Sequence, residues 1–539
     1  MKPFFLTCLL ACLLLLGCTT ESAASNEAVA PARGVTTNEA SAPHDAIRIM
    51  TAGPAQAIDP RLLGTNLPAW LGPERLANPD LRERVTDLGP TLIRLPGGSW
   101  SNHYAWSACE QGNDTNCYWP WAARPSDFLA FLQATGQEAI WTVSINGTAT
   151  EAAALVAFFN GTVDDERPLG VDVRGRDWYT VGHWARLRAE HGHPEPYPIR
   201  LWEVGNEIYG AVAATGPGCA PFGWEEVWTC DANEYIFGRG EGAERREGYL
   251  EFREAMRAVD PDILVGAVGV ERPDDWSGWG RTVIEAAGEA LDFYVVHHYG
   301  FDGSAAVRVE QALRIPQRTW QPMIAGLHAA MDAANGQRVP IAVTEYNLVA
   351  FLDLDSPSLM IRAVNALYLA DTIGQMAQQG IPIANQWNLA NGRDSNGHGT
   401  DYGLVDVDSF ELIPQYYAMF LWQRFGTELL PVENPFPADT VLSLYAGRDE
   451  TGAYTLMAIN KTERTLNPQI QLVGQPGPFN LERIWVESDS LLSESLRYNG
   501  ILGTTSAALA TPAEQHGLVA NLTTQSFPPY SITLLRFSP

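Results

Sequence analysis

This sequence predicts an α/β protein, a (β/α)8 TIM barrel followed by a C-terminal antiparallel β-sandwich. Three observations carry that expectation. Between residues 59 and 426 eight short apolar runs alternate with helix-like stretches, as in a parallel sheet with crossover helices. From residue 427 helical periodicity fades, and short alternating runs separated by turns take over. Polar, acidic and aromatic residues gather at the C-terminal ends of the apolar runs, the rim where such barrels hold their chemistry.

The first segment stands apart from the fold. Lys2 precedes an apolar stretch that closes on Leu15-Leu16-Gly17-Cys18. A charged start, a short apolar core and a small residue before cysteine read as a bacterial lipoprotein export signal, residues 1–18. A transmembrane anchor is the competing reading, but the run falls short of the ~18–20 residues a spanning helix needs. Cys18 would carry the lipid, anchoring the protein in the outer membrane on its periplasmic or cell-surface face. Residues 19–45 are rich in Ala, Ser, Thr, Asn and Glu and read as a flexible tether.

Residues 46–58 are strand-like and are expected to join the sandwich, tying the two ends of the chain together. The barrel, residues 59–426, is read from candidate strands at 63–66, 92–95, 139–143, 201–204, 263–268, 293–297, 341–344 and 383–387. Amphipathic stretches at 246–259, 321–334 and 359–379 supply crossover helices. A doubly wound open sheet is the competing architecture; it would more often show an early Gly-rich phosphate turn, and the sequence has none. The sandwich, residues 427–539, is read from β runs at 441–446, 454–459 and 531–537.

The net charge of −28 argues against nucleic acid or another polyanion as a partner. Of the 7 cysteines, Cys8, Cys12 and Cys18 belong to the signal. The remaining four fall as two close pairs in loop-like segments of an exported chain, so Cys109–Cys117 and Cys219–Cys230 disulfides are expected. Zinc is the alternative, although these spacings do not match the usual ligand knuckles. Nothing in the sequence fixes an oligomeric state.

Two glutamates dominate the rim. Glu207 follows the fourth candidate strand in Gly205-Asn206-Glu207, and Glu345 ends the seventh in Val343-Thr344-Glu345-Tyr346-Asn347. A lone glutamate is ordinarily a surface charge. Two that cap apolar strands carry a cost unless paired or hydrogen-bonded. Strands four and seven lie across a barrel mouth, so their carboxyls can converge to the ~5–5.5 Å of retaining glycoside hydrolysis. Asn66, Arg94, His297-His298-Tyr299 and Gln386-Trp387 end other strands at the same rim.

Arg94-Leu95-Pro96-Gly97-Gly98-Ser99, Gly205-Asn206-Glu207, His298-Tyr299 and Thr344-Glu345-Tyr346-Asn347 resemble the clan of retaining (β/α)8 glycoside hydrolases, most nearly the α-L-arabinofuranosidases of glycoside hydrolase family 51. The resemblance implies a retaining, double-displacement hydrolase of plant or algal poly- or oligosaccharide that needs no cofactor. Glu207 would be the acid/base and Glu345 the nucleophile. Asn206 would donate to the sugar 2-hydroxyl, and Arg94 and Tyr299 would hold Glu345 ionised. Asn66, Ser99, His298, Gln386 and Trp387 would complete the sugar contacts. The chain departs from the family at two sugar-reading positions: Asn66 stands in a segment that usually carries a glutamate, and Ser99 where asparagine is usual.

Trp70, Trp100, Tyr104, Trp106, Trp119 and Trp121 fall in the loops after strands one and two, where rings suit the apolar faces of sugars as well as ordinary packing. Trp100 and Tyr104 are taken as substrate contacts. His103, His297 and His298 lack carboxylate–histidine spacing for a metal, and no metal is expected. Residues 391–408 read as a loop or a lid, and residues 211–238 as a wall stiffened beside Glu207 by a disulfide. Two other readings remain open: a β-glycosidase or endo-glycanase of the same clan, and a non-catalytic carbohydrate-binding surface lipoprotein.

Overall fold

A computed structural model describes residues 46–539 apart from 90, 113–116, 118, 211–218, 225, 335, 394–398 and 504. The export signal, Cys18 and the tether lie outside the described residues. Among the described residues no helix is long and apolar enough to cross a membrane.

Eight parallel strands close into a barrel. They are β1 (Gly64–Asn66), β2 (Leu92–Leu95), β3 (Glu138–Val143), β4 (Leu201–Val204), β5 (Leu264–Val268), β6 (Phe293–Phe301), β7 (Ile341–Val349) and β8 (Ile383–Gln386). The ring is sealed where Asn385 and Gln386 of β8 pair with Gly64 and Thr65 of β1. The two-residue period of a strand sorts side chains inside the barrel by height. Leu92, Ile140, Leu201, Phe293, Val295, Ala342 and Ile383 form a closed apolar cluster. Two residues further along, Arg94, Thr142, Glu203 and Asn385 are buried polar groups. The barrel is thus an apolar plug with a polar layer above it. Gly266 makes room for the plug, since a Cβ there would meet the Phe293 ring at 2.1 Å.

Sequence periodicity places the ends of β6 and β7 too early, at 297 and 344; both run on, to Phe301 and Val349. A bulge explains how the alternating pattern breaks. Val343 pairs with Val296 and Glu345 with His297, so β7 carries one extra residue there. The partner β8 records the same offset between Ala384 and Gln386. Val343 and Tyr346 pack outward in the main core, while Thr344 and Glu345 both bond to groups at the barrel mouth. Bulges re-aim side chains in this way beside functional sites.

The crossover helices include Tyr249–Val259, Ile315–Ala334 and Ala363–Gln378. The second begins six residues before the expected start, because Pro316 fits a first turn. The third is buried on nearly all sides. It meets the sandwich through a buried ion pair, Lys461 Nζ to Asp371 Oδ2 at 2.6 Å, with Tyr445 Oη bonding the same carboxylate.

The sandwich consists of a nine-stranded and a four-stranded sheet around its own apolar core. Ile47–Met50 pairs parallel with Gln469–Val473 in the smaller sheet, and Gln56–Ala57 pairs with Glu428–Leu430 in the larger. Both disulfides, Cys109–Cys117 and Cys219–Cys230, are formed.

Candidate active site

The polar layer of the barrel builds the site from below. Arg94 of β2 is fully buried, and each nitrogen of its guanidinium has a partner. Nε meets Glu203 Oε1 of β4; Nη1 donates to Asn66 Oδ1 at 3.0 Å and Glu345 Oε1 at 2.8 Å; Nη2 donates to Asn206 Oδ1 at 2.7 Å. A planar guanidinium fits this cross-barrel task where a point-charge ammonium would not. Thr142 of β3 bonds the same Glu203 oxygen.

Glu345 Oε2 accepts from Tyr299 Oη of β6 at 2.7 Å. Glu207 lies across the mouth in the turn after β4, with a left-handed φ of +49°. Such a backbone costs ~1–3 kcal/mol in a residue with a side chain. Asn102 holds this turn: its Oδ1 accepts from Asn206 N at 3.0 Å, and its Nδ2 donates to Asn206 O at 2.8 Å and Gly223 O at 2.7 Å. Gly223 packs so closely that a Cβ there would lie 2.0 Å from Glu207 O.

His297 joins the two carboxyls. Its Nδ1 is 2.9 Å from Glu207 Oε1 and 3.6 Å from Glu345 Oε2, and its Nε2 is 3.1 Å from Thr344 Oγ1. One ligating atom each of Glu207, His297 and Glu345 lies within 4.8 Å of the other two. This trio has the reach of a metal site. Both imidazole nitrogens are already engaged, however, and an ion would have to displace those bonds.

Burial pushes the Glu345 carboxyl above the usual carboxylate range, against the pull of His297 and Arg94. Burial also opposes a charge on His297, but Glu345 and Glu207 outweigh it and hold the imidazole above its ordinary value. The Tyr299 phenol is pushed well up by burial and by Glu345, so it remains an O–H donor.

An open cleft of about 490 Å³ lies over these groups. Of the residues singled out from sequence, Glu207, Glu345, Asn206, Ser99, Tyr299, Trp100 and Trp387 line it. Four lie elsewhere. Asn66 is beneath, donating to Thr344 O at 3.0 Å. Gln386 is buried, donating to Tyr402 O at 3.0 Å. Tyr104 packs on Trp141 and bonds Ala123 O. His298 faces away from the cleft against Trp320, because strand alternation gives the inward position to His297. Arg94 reaches the chemistry only through Glu345 and Asn206.

The aromatic residues divide. Trp106 is core, packed on Trp184 and Phe158. Trp100 stacks on Trp119 at 4.1 Å and lies 5.3 Å from Trp70, forming one wall of the cleft. A second part of the cleft lining escapes sequence reasoning: Tyr209, Phe222 and Trp276 form a ring cluster with centroids 4.8–5.4 Å apart, and Glu271 lines the same cleft. Asn102, Glu203 and Thr344 escape it as well. Glu203 has a visible signal, as the residue two before Gly205 at an inward strand position.

Comparison with known proteins agrees with this picture. The family described as "Alpha-L-arabinofuranosidase 1 domain" matches residues 84–311. An intracellular exo-α-(1→5)-L-arabinofuranosidase of Streptomyces lividans is 26% identical over 239 residues, 41% of this chain and 29% of the relative. An α-L-arabinofuranosidase C of Emericella nidulans is 26% identical over 212 residues, 36% of this chain and 33% of the relative. The chain thus spans about a third of the length of these curated relatives. The crystal structure of an α-L-arabinofuranosidase from Thermotoga maritima superposes with a TM-score of 0.68 at 19% identity, covering 91% of this chain and 99% of that one. A Paenibacillus polymyxa xyloglucanase of glycoside hydrolase family 44 superposes at 0.58 and 13% identity, covering 92% and 99%. In fold the chain is a (β/α)8 barrel with an appended β-sandwich, similar to these solved structures, and its residues 84–311 match the α-L-arabinofuranosidase domain.

Proposed function

We propose that this protein is a retaining glycoside hydrolase of α-L-arabinofuranosidase type, with Glu345 as nucleophile and Glu207 as acid/base. The observation that carries the reading is the convergence of the two carboxyls and His297 within 4.8 Å at the barrel mouth. That gap suits direct attack on the sugar rather than the wider, water-holding gap of inverting enzymes.

The donors assign the roles. Glu345 accepts from Arg94 and Tyr299, two groups that hold an ionised carboxylate and orient it. Glu207 shares its hydrogen bond with a titratable imidazole, so a proton is kept in the Glu207–His297 pair. In the first step Glu345 forms an ester bond to the anomeric carbon while the bond to the leaving oxygen breaks and Glu207 protonates that oxygen. In the second, Glu207 removes a proton from water as the water oxygen displaces Glu345 from the same carbon. Asn206 Nδ2 is buried at the cleft with no hydrogen-bond partner among the described residues, poised to donate to the glycone 2-hydroxyl.

The test is NMR of the first-formed anomer on a panel of aryl glycosides and polysaccharides, with Glu345→Ala as blank. A retained anomer from the arabinofuranoside, abolished in the variant, is the expected result. An inverted anomer or undiminished turnover by Glu345→Ala sinks the mechanism. A β-glycosidase or endo-glycanase reading is favoured by one observation: Ser99 lines the cleft while Asn66 does not, so the sugar-facing groups differ from those the family resemblance implied. Turnover of another aryl glycoside in place of the arabinofuranoside would select it. Binding without cleavage would select the carbohydrate-binding protein.

The N-terminal residues support export as a lipoprotein lipidated at Cys18 on the outer membrane, and the two disulfides suit an oxidising compartment. Mass spectrometry of the mature N-terminal peptide tests it; an unmodified or internal start would rule it out.

A further inference from the structure

The cleft lining has two unlike parts, one around Asn206 and Trp387 and one around Tyr209 and Trp276. On one side Asn206 is fixed by Arg94 of β2, and Trp387 after β8 packs onto Gly98 and Trp70. With the unpartnered Nδ2 of Asn206 here, this side takes the glycone. The leaving group must then depart past Glu207 toward the loops beyond β4 and β5.

Those loops carry a second built surface. Tyr209, whose phenol is hydrogen-bonded with Glu207, lies against Phe222 and Trp276. Trp276, Ser277 and Gly278 occupy three successive left-handed conformations, with φ of +51°, +62° and +79°. Strain of this kind persists where surrounding structure enforces it, and it clusters at ligand-facing positions. Here it sets an indole into the cleft wall. An apolar ring cluster is the surface on which a sugar face stacks.

Beside the rings stands Glu271, a cleft-lining carboxylate that the proposed chemistry does not use. Its Oε1 is 2.7 Å from Nδ1 of His298. His298 Nε2 is buried and has no hydrogen-bond partner among the described residues. A proton on that nitrogen would be an unsatisfied buried donor, costing ~1–3 kcal/mol. Nδ1, the ring nitrogen that has a partner, is therefore the one that donates, and it donates to Glu271. Glu271 is held in place as an acceptor with its carboxylate at the cleft, a fit for sugar hydroxyls.

We propose that Glu271, positioned by His298 and flanked by Tyr209, Phe222 and Trp276, forms a leaving-group subsite that binds a second sugar ring, so that the preferred substrate is a sugar chain rather than a simple glycoside. This rests on the retaining-hydrolase reading above. Ring stacking supplies affinity for the sugar face, and the carboxylate reads its hydroxyls.

The experiment compares kcat/KM on α-(1→5)-linked arabinotriose with kcat/KM on 4-nitrophenyl α-L-arabinofuranoside, for wild type, Glu271→Ala and Glu271→Gln. A nitrophenyl leaving group has no hydroxyls for Glu271 to read. The ratio of the two values is expected to fall roughly 10- to 100-fold in Glu271→Ala, the scale of one hydrogen bond to a charged group, and by less in Glu271→Gln, which keeps one acceptor. His298→Leu is expected to lower the same ratio by loosening Glu271. A ratio that stays within about twofold of wild type in Glu271→Ala overturns the subsite, even where both activities drop together. Wild type that cleaves neither compound overturns the arabinofuranosidase reading and this inference with it, whereas an unchanged ratio leaves that reading standing.

Discussion

Arg94 Nη1 lies 2.8 Å from Glu345 Oε1, and both side chains are buried at the barrel mouth. The same guanidinium also meets Glu203, so one cation serves two buried carboxylates. In the proposed mechanism the imbalance falls where negative charge is consumed: forming the glycosyl ester removes the charge of Glu345, which lies 3.6 Å from His297 in the resting state.

Arg94→Lys is therefore expected to be damaging out of proportion to its conservative chemistry. An ammonium cannot span Glu203, Asn66, Glu345 and Asn206 together. Breaking a buried pair leaves uncompensated charge and costs ~3–5 kcal/mol. A thermal melt should show the loss, and kcat should fall at least about 100-fold because Glu345 and Asn206 lose their common anchor. Near-normal stability and turnover would mean that Arg94 is not the anchor.

The pH profile should carry the signature of Glu345. Burial raises its pKa above the usual value of 4.5. The proposed nucleophile must be ionised, so activity is expected to rise with pH through a midpoint above 4.5. The Tyr299 hydrogen bond favours the carboxylate and pulls that midpoint down. Tyr299→Phe should then move the acid limb of kcat/KM to higher pH, besides lowering its plateau. An acid limb that stays in place, or moves to lower pH, would separate Tyr299 from the titration of Glu345.

Features set by strand period and by local motif are legible in the sequence. Leu92, Arg94, Leu201 and Glu203 alternate cleanly, Gly205-Asn206-Glu207 follows β4, and Glu345 follows the apolar run that opens β7, so the barrel and its two carboxyls can be read directly. The bulge in β7 cannot, because an extra residue is a property of pairing with β6 and β8. His298 reads as a sugar contact although alternation gives the inward place to His297; the phase of β6 is set by Phe293 and Val295 in the plug. Asn102 and Glu271 sit in loops with no periodicity, and only tertiary contacts with Asn206 and His298 reveal their tasks. Tyr104 fails as a cleft residue for the opposite reason: an aromatic in a rim loop is as readily drawn into the core, here against Trp141.

Gly98 offers a test of the glycone wall. It has a φ of +58°, and a Cβ there would meet Trp387 Cη2 at 2.5 Å. Gly98→Ala must strain the backbone or displace the indole. A loss of ~1–3 kcal/mol in stability is expected from overpacking alone. The indole shift should lower kcat/KM roughly 10- to 100-fold, since misplacement by about an ångström is costly in a positioned site. Steady-state kinetics beside a thermal melt separates the two effects; a stability loss with kinetics intact would show that Trp387 does not position the sugar.

Asp401 gives a stability prediction with a defined sign. The residue is fully buried next to Tyr402 of the cleft, and Gly403 N donates to its Oδ1 at 2.7 Å. Burial nevertheless dominates and raises its pKa from 3.8 to about 6. A carboxyl whose pKa is raised by folding contributes stability below its unfolded value, and that contribution is lost as pH rises through the folded value. Two pKa units correspond to about 3 kcal/mol, lost between about pH 4 and 7. Asp401→Asn cannot titrate, so the variant should gain on wild type by up to about 3 kcal/mol as pH rises across that window. Urea denaturation of both proteins at pH 4 and pH 7 measures the difference directly, cancelling every other titrating group. A variant-minus-wild-type difference that is constant with pH would show that Asp401 ionises in the folded protein as freely as in the unfolded one.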